Sequence, residues 1–479
     1  MITKSPKTMQ KMPVCDSKTN SDNDEEKSSI FWMENSLGLM ESERDFGSVV
    51  IGDLNENSRI NLEKFLFIKG MKVLRLAITS TTKHRDFETV LKLVPNLKYL
   101  KLYLKFKLSE SVKFNKLRAL KVRGACHSIL RFVEAPNLNM LEIIRFWNDE
   151  SRQNLIAFLM KCPKLRRLGV NLNVTAFDLE EIGKFPFNLY ELEMIGFVSN
   201  PESVEENFSK FLRQQEKSLM KIRIQPSMCP PIYLQILTRF ENLQWLCVDC
   251  SELPPAAGFY SCLKPLERVR TLKIVKHGFE NLETVEAFHA LFPNLTSLLC
   301  MNNFHVITRR RPFIEIMEQS HKNLKVFVFP DFDKTYGNPM FMKLKALAIG
   351  KITRSGLELI LKHRNLVYIY FEHADKKFPT VKDIHRILRL PNLKTIHVQG
   401  SFDGVKQFYD VLRRNYNNLS DVSFRLIGHC APLMYQIPSD REHWDPDKGK
   451  QYFEDHALCD SHEHFRDVNS LPCSVCSIT

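Results

Sequence analysis

The chain of 479 residues lacks any run of eighteen consecutive apolar residues, so no segment is long enough for a membrane-spanning helix. Its first residues, Met1 to Lys7, do not contain the apolar core that a signal peptide needs. We therefore expect an intracellular protein, cytoplasmic, nuclear or both, with no membrane partner. Its twelve cysteines are scattered, and in such a compartment we expect them to be reduced, small core residues.

Signatures of catalysis are missing as well. The sequence contains no G-x-x-x-x-G-K-[ST] phosphate loop, no G-x-G-x-x-G that opens a helix and no H-E-x-x-H zinc motif. His462-Glu463-His464 has the wrong spacing for two metal ligands on one helix face. We expect a protein that is not an enzyme and holds no cofactor, apart from the zinc considered below.

An apolar skeleton of the form L-x-x-L-x-L recurs along the chain, as in Leu97-Lys98-Tyr99-Leu100-Lys101-Leu102. Its copies begin about 25 residues apart, a period typical of leucine-rich repeats. We call the first apolar residue of each copy its rung residue. The rung residues are Phe46, Met71, Leu97, Leu117, Leu138, Leu165, Leu189, Leu219, Leu243, Val269, Leu295, Leu324, Leu344, Leu366, Leu393 and Leu419.

The skeleton predicts the fold. Its last two apolar residues, such as Leu100 and Leu102, are two apart and therefore point to one face of a short strand. A helical stretch follows each strand, which makes neighbouring strands parallel, and stacked repeats bury the face that one repeat cannot bury alone. We predict an α/β leucine-rich repeat solenoid, a curved horseshoe with parallel strands on the concave face and helices on the convex face.

Composition divides the chain into four parts. Residues 1–29 are polar and predicted to be disordered, 30–45 form an N-terminal cap or the remnant of another module, 46–429 form the solenoid, and 430–479 form a C-terminal cap or tail. The formal net charge is +13, yet both ends are acidic, so the solenoid carries the basic excess. That excess indicates an acidic partner, although Lys and Arg that merely solvate the helices would also explain it.

Residues that alternate with the core pair of each strand should face the concave side. The candidate partner-binding residues are Arg75, Tyr99, Lys101, Tyr103, Lys121, Arg123, Arg167, Trp245, Tyr368 and Tyr370. The two adjacent strands that carry Tyr99, Lys101, Tyr103, Lys121 and Arg123 contain no acidic residue at outward positions, so these five residues predict one basic, aromatic patch that grips an acidic protein segment. The alternative is a solvated face whose charges only keep the solenoid soluble.

Several repeats place Pro-Asn-Leu or Cys-Pro-Lys-Leu before the strand, at Pro95-Asn96-Leu97, Pro136-Asn137-Leu138, Cys162-Pro163-Lys164-Leu165, Pro293-Asn294-Leu295 and Pro391-Asn392-Leu393. In this respect residues 46–424 resemble the repeats of F-box/LRR proteins. The resemblance implies a substrate-recognition subunit of an SCF-type cullin-RING ubiquitin ligase, whose F-box binds the cullin adaptor. Residues 1–45 do not supply an F-box, so adaptor binding implies that a longer form contains one.

Two other functions stay open from the sequence. One is an interaction scaffold with no link to ubiquitin ligases, because the repeat motif defines a fold better than a function. The other is a binder of nucleic acid or a phosphorylated ligand through the basic concave face.

The C-terminal tail holds two pairs of potential zinc ligands, Cys459-x2-His462 and Cys473-x2-Cys476. Thiolate and imidazole ligands paired at this spacing suit a tetrahedral zinc ion. The alternative is a loose tail with incidental Cys and His residues.

Metal analysis of freshly purified protein tests the zinc hypothesis. We expect about one equivalent of zinc in the wild-type chain, because structural sites hold their metal tightly. The Cys473→Ser/Cys476→Ser variant should lose it. Less than about a tenth of an equivalent in the wild-type protein would refute a structural site.

Overall fold

The computed structural model of the protein describes a set of segments between Ile30 and Leu426. They are residues 30–32, 48–51, 56–78, 87–102, 108, 110–123, 129–144, 149–171, 176–185, 188–195, 201–224, 231–248, 250, 253–254, 256–274, 281–300, 312–331, 340–351, 353–374, 379–400, 408, 410–412 and 421–426. Most of the predicted end segments lie outside these residues, so the boundaries at 46 and 429 stay a prediction.

One parallel sheet runs through the described part of the chain, with 17 strands joined edge to edge. Its strands are β1 Ile30–Trp32, β2 Ser48–Ile51, β3 Arg75–Ile78, β4 Tyr99–Leu102, β6 Ala119–Arg123, β8 Met140–Ile144, β9 Arg167–Asn171, β10 Glu191–Ile195, β11 Lys221–Ile224, β12 Trp245–Val248, β13 Thr271–Ile274, β14 Ser297–Cys300, β15 Val326–Asp331, β16 Ala346–Lys351, β17 Tyr368–Ala374, β18 Thr395–Gly400 and β19 Asp421–Leu426. Two short strands, β5 Val112–Lys113 and β7 Val133–Glu134, pair separately.

Each strand of the large sheet pairs in parallel with the next one along the chain. The register places Leu76 beside Leu100, Leu100 beside Leu120 and Leu120 beside Leu141. All four side chains are fully buried, whereas Tyr99 and Lys101 between the leucines are half-buried. The alternation predicted from the skeleton is therefore confirmed, and it gives the sheet one core face and one outer face.

One rung residue is misplaced by the sequence analysis. Arg75 pairs with Tyr99, which makes Val73, and not Met71, the equivalent of Leu97. Val73 is fully buried, and Met71 is 63% exposed. The error arises because the first helix ends in a 3-10 turn, Gly70–Lys72, which shifts the start of the repeat. Gly70 is needed in this turn, since a Cβ there would clash with the backbone of Leu93.

Helices connect most of the strands. They are α1 Glu56–Lys69, α2 Phe87–Lys92, α3 Ile129–Phe132, α4 Asp149–Met160, α5 Ala176–Gly183, α6 Pro201–Gln214, α7 Pro231–Leu237, α8 Ala257–Ser261, α9 Leu282–Ala290, α10 Pro312–Ser320, α11 Arg354–Lys362 and α12 Val381–Leu388. Polar caps begin several of them. Asn281 accepts from the amide of Thr284, Thr353 from that of Gly356, and Thr380 forms a capping box.

Geometry requires the stack of repeats to bend. Neighbouring strands lie about 4.8 Å apart, whereas packed helices need about 8–10 Å between their axes. A parallel sheet on one side and helices on the other therefore curve towards the strands, which line the concave face. The α/β leucine-rich repeat solenoid predicted from the sequence is confirmed. In the parts that the structure describes, no helix has both the length and the apolar character needed to cross a bilayer.

The Asn of the Pro-Asn-Leu motif ties one repeat to the one before it. The side-chain amide of Asn96 donates to the carbonyl oxygen of Met71 at 2.9 Å. The same bond, at 2.8–3.0 Å, recurs from Asn137, Asn294 and Asn392 of this motif and from Asn242 and Asn365, which precede a rung leucine without the proline. Backbone carbonyls in these exposed turns thus gain side-chain donors from the next repeat, which link consecutive turns.

Two buried histidines contact each other where neighbouring repeats stack. Nδ1 of His289 lies 3.0 Å from Nε2 of His321, and both rings are almost completely buried. Burial lowers the pKa of His321 to about 4. A third buried histidine, His363, contacts the carbonyl oxygen of Leu359 through Nδ1 and accepts from the amide of Phe341, and burial also lowers its pKa. The folded state therefore favours the neutral rings of His321 and His363.

The free energy of unfolding should fall as the pH drops from about 6.5 towards 4. In this range the unfolded chain protonates His321, whereas the folded chain keeps it neutral. We expect urea unfolding to show a loss of about 2 kcal/mol between pH 7 and pH 4.5 from this residue. The variant His289→Leu/His321→Leu should lack this part of the loss. An unchanged pH profile in the variant would contradict the assignment.

Candidate functional site

Two rows of side chains cross the concave face, because most strands of the sheet present two outward positions. The register places Arg75, Tyr99, Arg167, Lys221 and Trp245 in the first row and Lys101, Lys121, Glu142, Arg223 and Cys247 in the second. The rows continue through β13–β17, where the outward residues change from charged to apolar. The face therefore divides into a charged half on β3–β11 and an apolar half on β12–β17.

The charged half consists largely of ion pairs between neighbouring strands. Lys121 contacts Glu142 at 2.8 Å, and Arg167 contacts Glu191 at 3.0 Å. Nη1 of Arg223 donates to Glu193 at 2.6 Å. These side chains are between 13% and 34% exposed, so the pairs are partly shielded from water. In each of these three pairs the carboxylate offsets the charge of the cation.

The predicted basic patch is only partly present as the sequence analysis described it. Arg75 is exposed, and Tyr99 and Lys101 are half-buried on the outer face. Lys121 lies beside them, but Glu142 on the next strand neutralises its charge. The two strands that carry the patch contain no acidic residue, as the sequence shows, but the partner of Lys121 comes from the next strand, which the sequence analysis did not consider.

Some predicted site residues lie outside the part of the chain that the structure describes. Tyr103 follows the end of β4, and Arg123 ends β6 with its side chain outside the description. The four candidate zinc ligands, Cys459, His462, Cys473 and Cys476, also lie outside the described residues. Their assignments stay predictions.

The apolar half contains a cluster separate from the main core. Leu299, Val326, Val328, Ala346 and Ala348 form it, at outward positions of β14, β15 and β16. Each is at most 6% exposed. Outward positions of such strands are normally polar. The repeat pattern therefore does not require this apolar cluster, which is particular to this part of the concave face. Its members are small or medium-sized and have almost no surface accessible to water, and we call these five residues the floor.

Three aromatic residues pack on this floor. Trp245 lies on β12 at one end, and Tyr368 and Tyr370 lie on β17 at the other. All three are half-buried, so each also presents part of its ring to solvent. Lys273 on β13 lies between them and is 1% exposed. We call Trp245, the five-residue floor, Tyr368 and Tyr370 the aromatic strip.

Sequence analysis identified the aromatic members of the strip but not its floor. The signal was available, because Leu299, Val326 and Val328 occupy alternating positions where a polar residue would be expected. Only the register shows that these positions are neighbours, since consecutive strands are about 25 residues apart in the chain. These residues are therefore neighbours in the folded structure, although they lie far apart in the sequence.

A groove on the helical side also presents apolar surface. It has a volume of about 450 Å³ and lies between α1 and α2, where Phe67, Ile68 and Leu93 line it. Phe67 is 81% exposed. The charged side chains of Glu63 and Lys64 form its polar lining. Apolar surface is therefore available at the N-terminal end of the solenoid as well as on the concave face.

Cysteines and histidines do not gather into a metal centre in the described residues. Burial raises the pKa of the Cys162 thiol to about 12 and also raises that of Cys300. Both thiols therefore stay protonated at neutral pH, and they are poor nucleophiles and poor metal ligands. Their environment agrees with the expected role as small core residues, and Cys247 and Cys250 are also buried. The expectation is wrong for Cys262, which is exposed.

The parallel register, the connecting helices and the buried skeleton define the protein as an α/β leucine-rich repeat solenoid. No family profile and no curated protein matches the sequence. Among solved structures, a chain of the yeast Rad7–Elc1 complex is 14% identical with a TM-score of 0.35, covering 78% of this chain and 89% of that chain. A chain of the TLR13–ssRNA13 complex is also 14% identical with a TM-score of 0.37, covering 80% of this chain and 54% of that chain.

Reversing the charge of Lys121 should destabilise the protein. In Lys121→Glu the new carboxylate faces Glu142, and we expect a loss of about 1 kcal/mol in the free energy of unfolding. The exchanged pair Lys121→Glu/Glu142→Lys should recover most of this loss, as measured by urea unfolding of the wild type, the single variants Lys121→Glu and Glu142→Lys, and the exchanged pair. Strictly additive effects would show that the two side chains do not interact in solution.

Proposed function

We propose that this protein is an interaction scaffold that binds a protein partner on its concave face. The observation that carries the proposal is the aromatic strip, in which Trp245, Tyr368 and Tyr370 are half-buried on a floor of apolar side chains. Partly exposed aromatic side chains supply much of the binding energy in protein interfaces. Solenoids commonly use their concave surface for such contacts.

The electrostatics of the charged half favour a protein over a nucleic acid. Nucleic-acid binding depends on cations that neutralise several phosphates. Here Lys121, Arg167 and Arg223 already contact acidic side chains on neighbouring strands. A phosphate backbone would have to displace these acids or lie against them. A protein segment with mixed polar and apolar groups meets no such penalty.

In its more specific form, the proposal is that the protein acts as the substrate-recognition subunit of an SCF-type cullin-RING ubiquitin ligase. Its support is the resemblance of the Pro-Asn-Leu repeats to those of F-box/LRR proteins. In this form the concave face holds the substrate, and an F-box in a longer form of the protein contacts the cullin adaptor. The alternative is a scaffold with the same binding face and no ligase partner.

Co-purification distinguishes the two forms of the proposal. The longest form of the protein expressed in its own cells is tagged, and the bound proteins are identified by mass spectrometry after mild cross-linking. If the ligase proposal is right, the cullin and its adaptor are recovered together with partners that accumulate when the proteasome is blocked. If partners are recovered without the cullin and adaptor, the ligase link is wrong and the scaffold alternative holds.

A variant of the concave face provides the control. Trp245→Ala/Tyr368→Ala removes aromatic surface from the strip and should reduce recovery of the substrate at least tenfold. It should leave the amount of adaptor recovered unchanged, because an F-box contact does not involve the concave face. Equal recovery of every partner by this variant and the wild type would contradict binding through the aromatic strip.

A further inference from the structure

We infer that the turns leading into β13–β17 bind the phosphate backbone of a nucleic acid. These turns form an edge of the sheet, next to the concave face and not on it, so the inference goes beyond the proposed function. It also differs from the sequence-based alternative, which placed nucleic-acid binding on the concave face. We call this surface the turn edge. For each of the five strands it comprises the two residues before the rung residue and the one after it.

The turn edge is densely basic. All fifteen of its positions are described by the structure, and they hold seven cations and one carboxylate, that of Glu267. The cations are Arg268, Arg270, Lys322, Lys325, Lys343, Lys345 and Arg364, and all seven are exposed. The formal net charge of the turn edge is therefore +6.

Backbone hydrogen bonds fix the spacing of these turns. The amide of Lys325 donates to the carbonyl oxygen of Thr296 at 2.8 Å, and the amide of Lys345 donates to that of Lys325 at 2.8 Å. The amide of Val367 continues the series with a bond of 2.7 Å to the carbonyl oxygen of Lys345. Consecutive turns therefore lie one strand spacing apart, and the turn edge extends over four spacings, or roughly 19 Å.

The charge of the turn edge is not offset by ion pairs. Within the described residues, none of the seven cations pairs with a carboxylate. Nη1 of Arg270 donates to the carbonyl oxygen of Asn294 at 2.9 Å, and Nζ of Lys343 donates to Oδ1 of Asn323 at 2.6 Å. Arg268 likewise donates to an asparagine oxygen. These acceptors are uncharged, whereas cations of the charged half of the concave face contact acids, so the turn edge keeps its charge for an anionic ligand.

The density of this charge matches that of a nucleic-acid strand. A net charge of +6 over roughly 19 Å corresponds to one positive charge per about 3 Å. Each strand of a nucleic acid carries one phosphate per about 3.4 Å of helix axis. An extended protein chain advances about 3.3–3.6 Å per residue, so only an uninterrupted run of Asp and Glu would offer the same density.

The turn edge offers charge without an apolar pocket. No aromatic residue occurs at its fifteen positions, and Met342 is the exposed large apolar side chain among them. Protein partners gain much of their affinity from aromatic anchors, and membrane surfaces are bound through apolar side chains that enter the bilayer. A phosphate backbone needs neither, because counterions released from neutralised phosphates supply the affinity. Binding at the turn edge should therefore not depend on base sequence.

The turns before β4, β6, β8 and β9 repeat the pattern. At the same positions they carry no acid and five exposed cations, which are Lys98, Lys116, Arg118, Lys164 and Arg166. Turns in both halves of the stack thus contribute to the basic excess of the solenoid.

Fluorescence polarisation on the full chain provides the first test. The probes are labelled oligouridine of about twenty nucleotides and a DNA duplex of the same length, both at about 100 mM salt. We expect at least one of them to bind. The logarithm of its association constant should fall with the logarithm of the salt concentration with a slope of about −4 to −5, because each neutralised phosphate contributes about −0.7 to −0.9. Failure of both probes to bind would overturn the inference.

Two other anionic ligands are compared with these probes. One is a peptide with glutamate at every second position, and the other is a vesicle that contains phosphatidylserine. Weaker binding of both supports the inference. If either binds more tightly than both nucleic acids, the turn edge is a surface for acidic proteins or for membranes, and the inference is wrong.

Variants then locate the contact. Lys322, Lys325 and Lys345 have no described side-chain partner, so their exchange should disturb the fold little. Lys322→Gln/Lys325→Gln/Lys345→Gln should weaken oligonucleotide binding at least tenfold and flatten the salt slope by about 2. Lys322→Arg/Lys325→Arg/Lys345→Arg keeps the three charges and should keep the affinity. Melting temperatures within a few degrees of the wild type establish that each variant is folded.

A matched control removes the same charge elsewhere. Lys64, Lys210 and Lys382 are exposed on α1, α6 and α12. Lys64→Gln/Lys210→Gln/Lys382→Gln should weaken oligonucleotide binding less than threefold, because these side chains lie away from the turn edge. Equal losses in the control and the turn-edge variant would show that only the total charge matters and would refute the placement.

The last comparison separates the turn edge from the concave face. If Trp245→Ala/Tyr368→Ala abolishes oligonucleotide binding while the turn-edge glutamine variant retains it, the nucleic acid binds the concave face and the inference is wrong. Loss of binding in the turn-edge glutamine variant but not in its arginine counterpart supports the inference. Recovery of a protein partner from cells tests the scaffold proposal independently of either result.

Discussion

The structure depends on one constraint, namely that no repeat can bury its own apolar face. Leu100 is fully buried only because Leu76 and Leu120 lie beside it on the neighbouring strands. The same parallel register brings the turns together, where the carbonyl oxygen of Leu74 accepts from the amides of both Lys98 and Tyr99. The same alignment of the repeats therefore buries the apolar side chains and gives the backbone groups of the turns their hydrogen-bond partners.

The concave face follows from this alignment but is not uniform. The register that stacks leucines also places Lys121 beside Glu142 and Arg167 beside Glu191, so the charged half of the face is stabilised within itself. Further along, the register brings Val326 and Ala346 together, and aromatic rings pack on them. Charges that already have partners contribute little further binding, whereas partly exposed rings retain surface that a partner can bury.

Much of the architecture was predictable because its signals are local. The L-x-x-L-x-L skeleton predicts which residues are buried, and Leu141 and Val398 are buried as expected. The turn after α1 was not predictable in this way, since Met71 continues the apolar pattern although Val73 occupies the core position. In the candidate site, Trp245, Tyr368 and Tyr370 were predicted to face outward, but the floor between them was not.

By itself the sequence determined the repeat period, the alternation along each strand and the positive charge of the solenoid, because each depends on residue types at fixed spacing. The tertiary structure alone decided which side chains meet across strands. Glu142 neutralises Lys121, and Leu299 joins Val326, only when positions more than twenty residues apart enter the same register. Energies of contact depend on distances of a few ångströms, and those distances exist only in the folded stack.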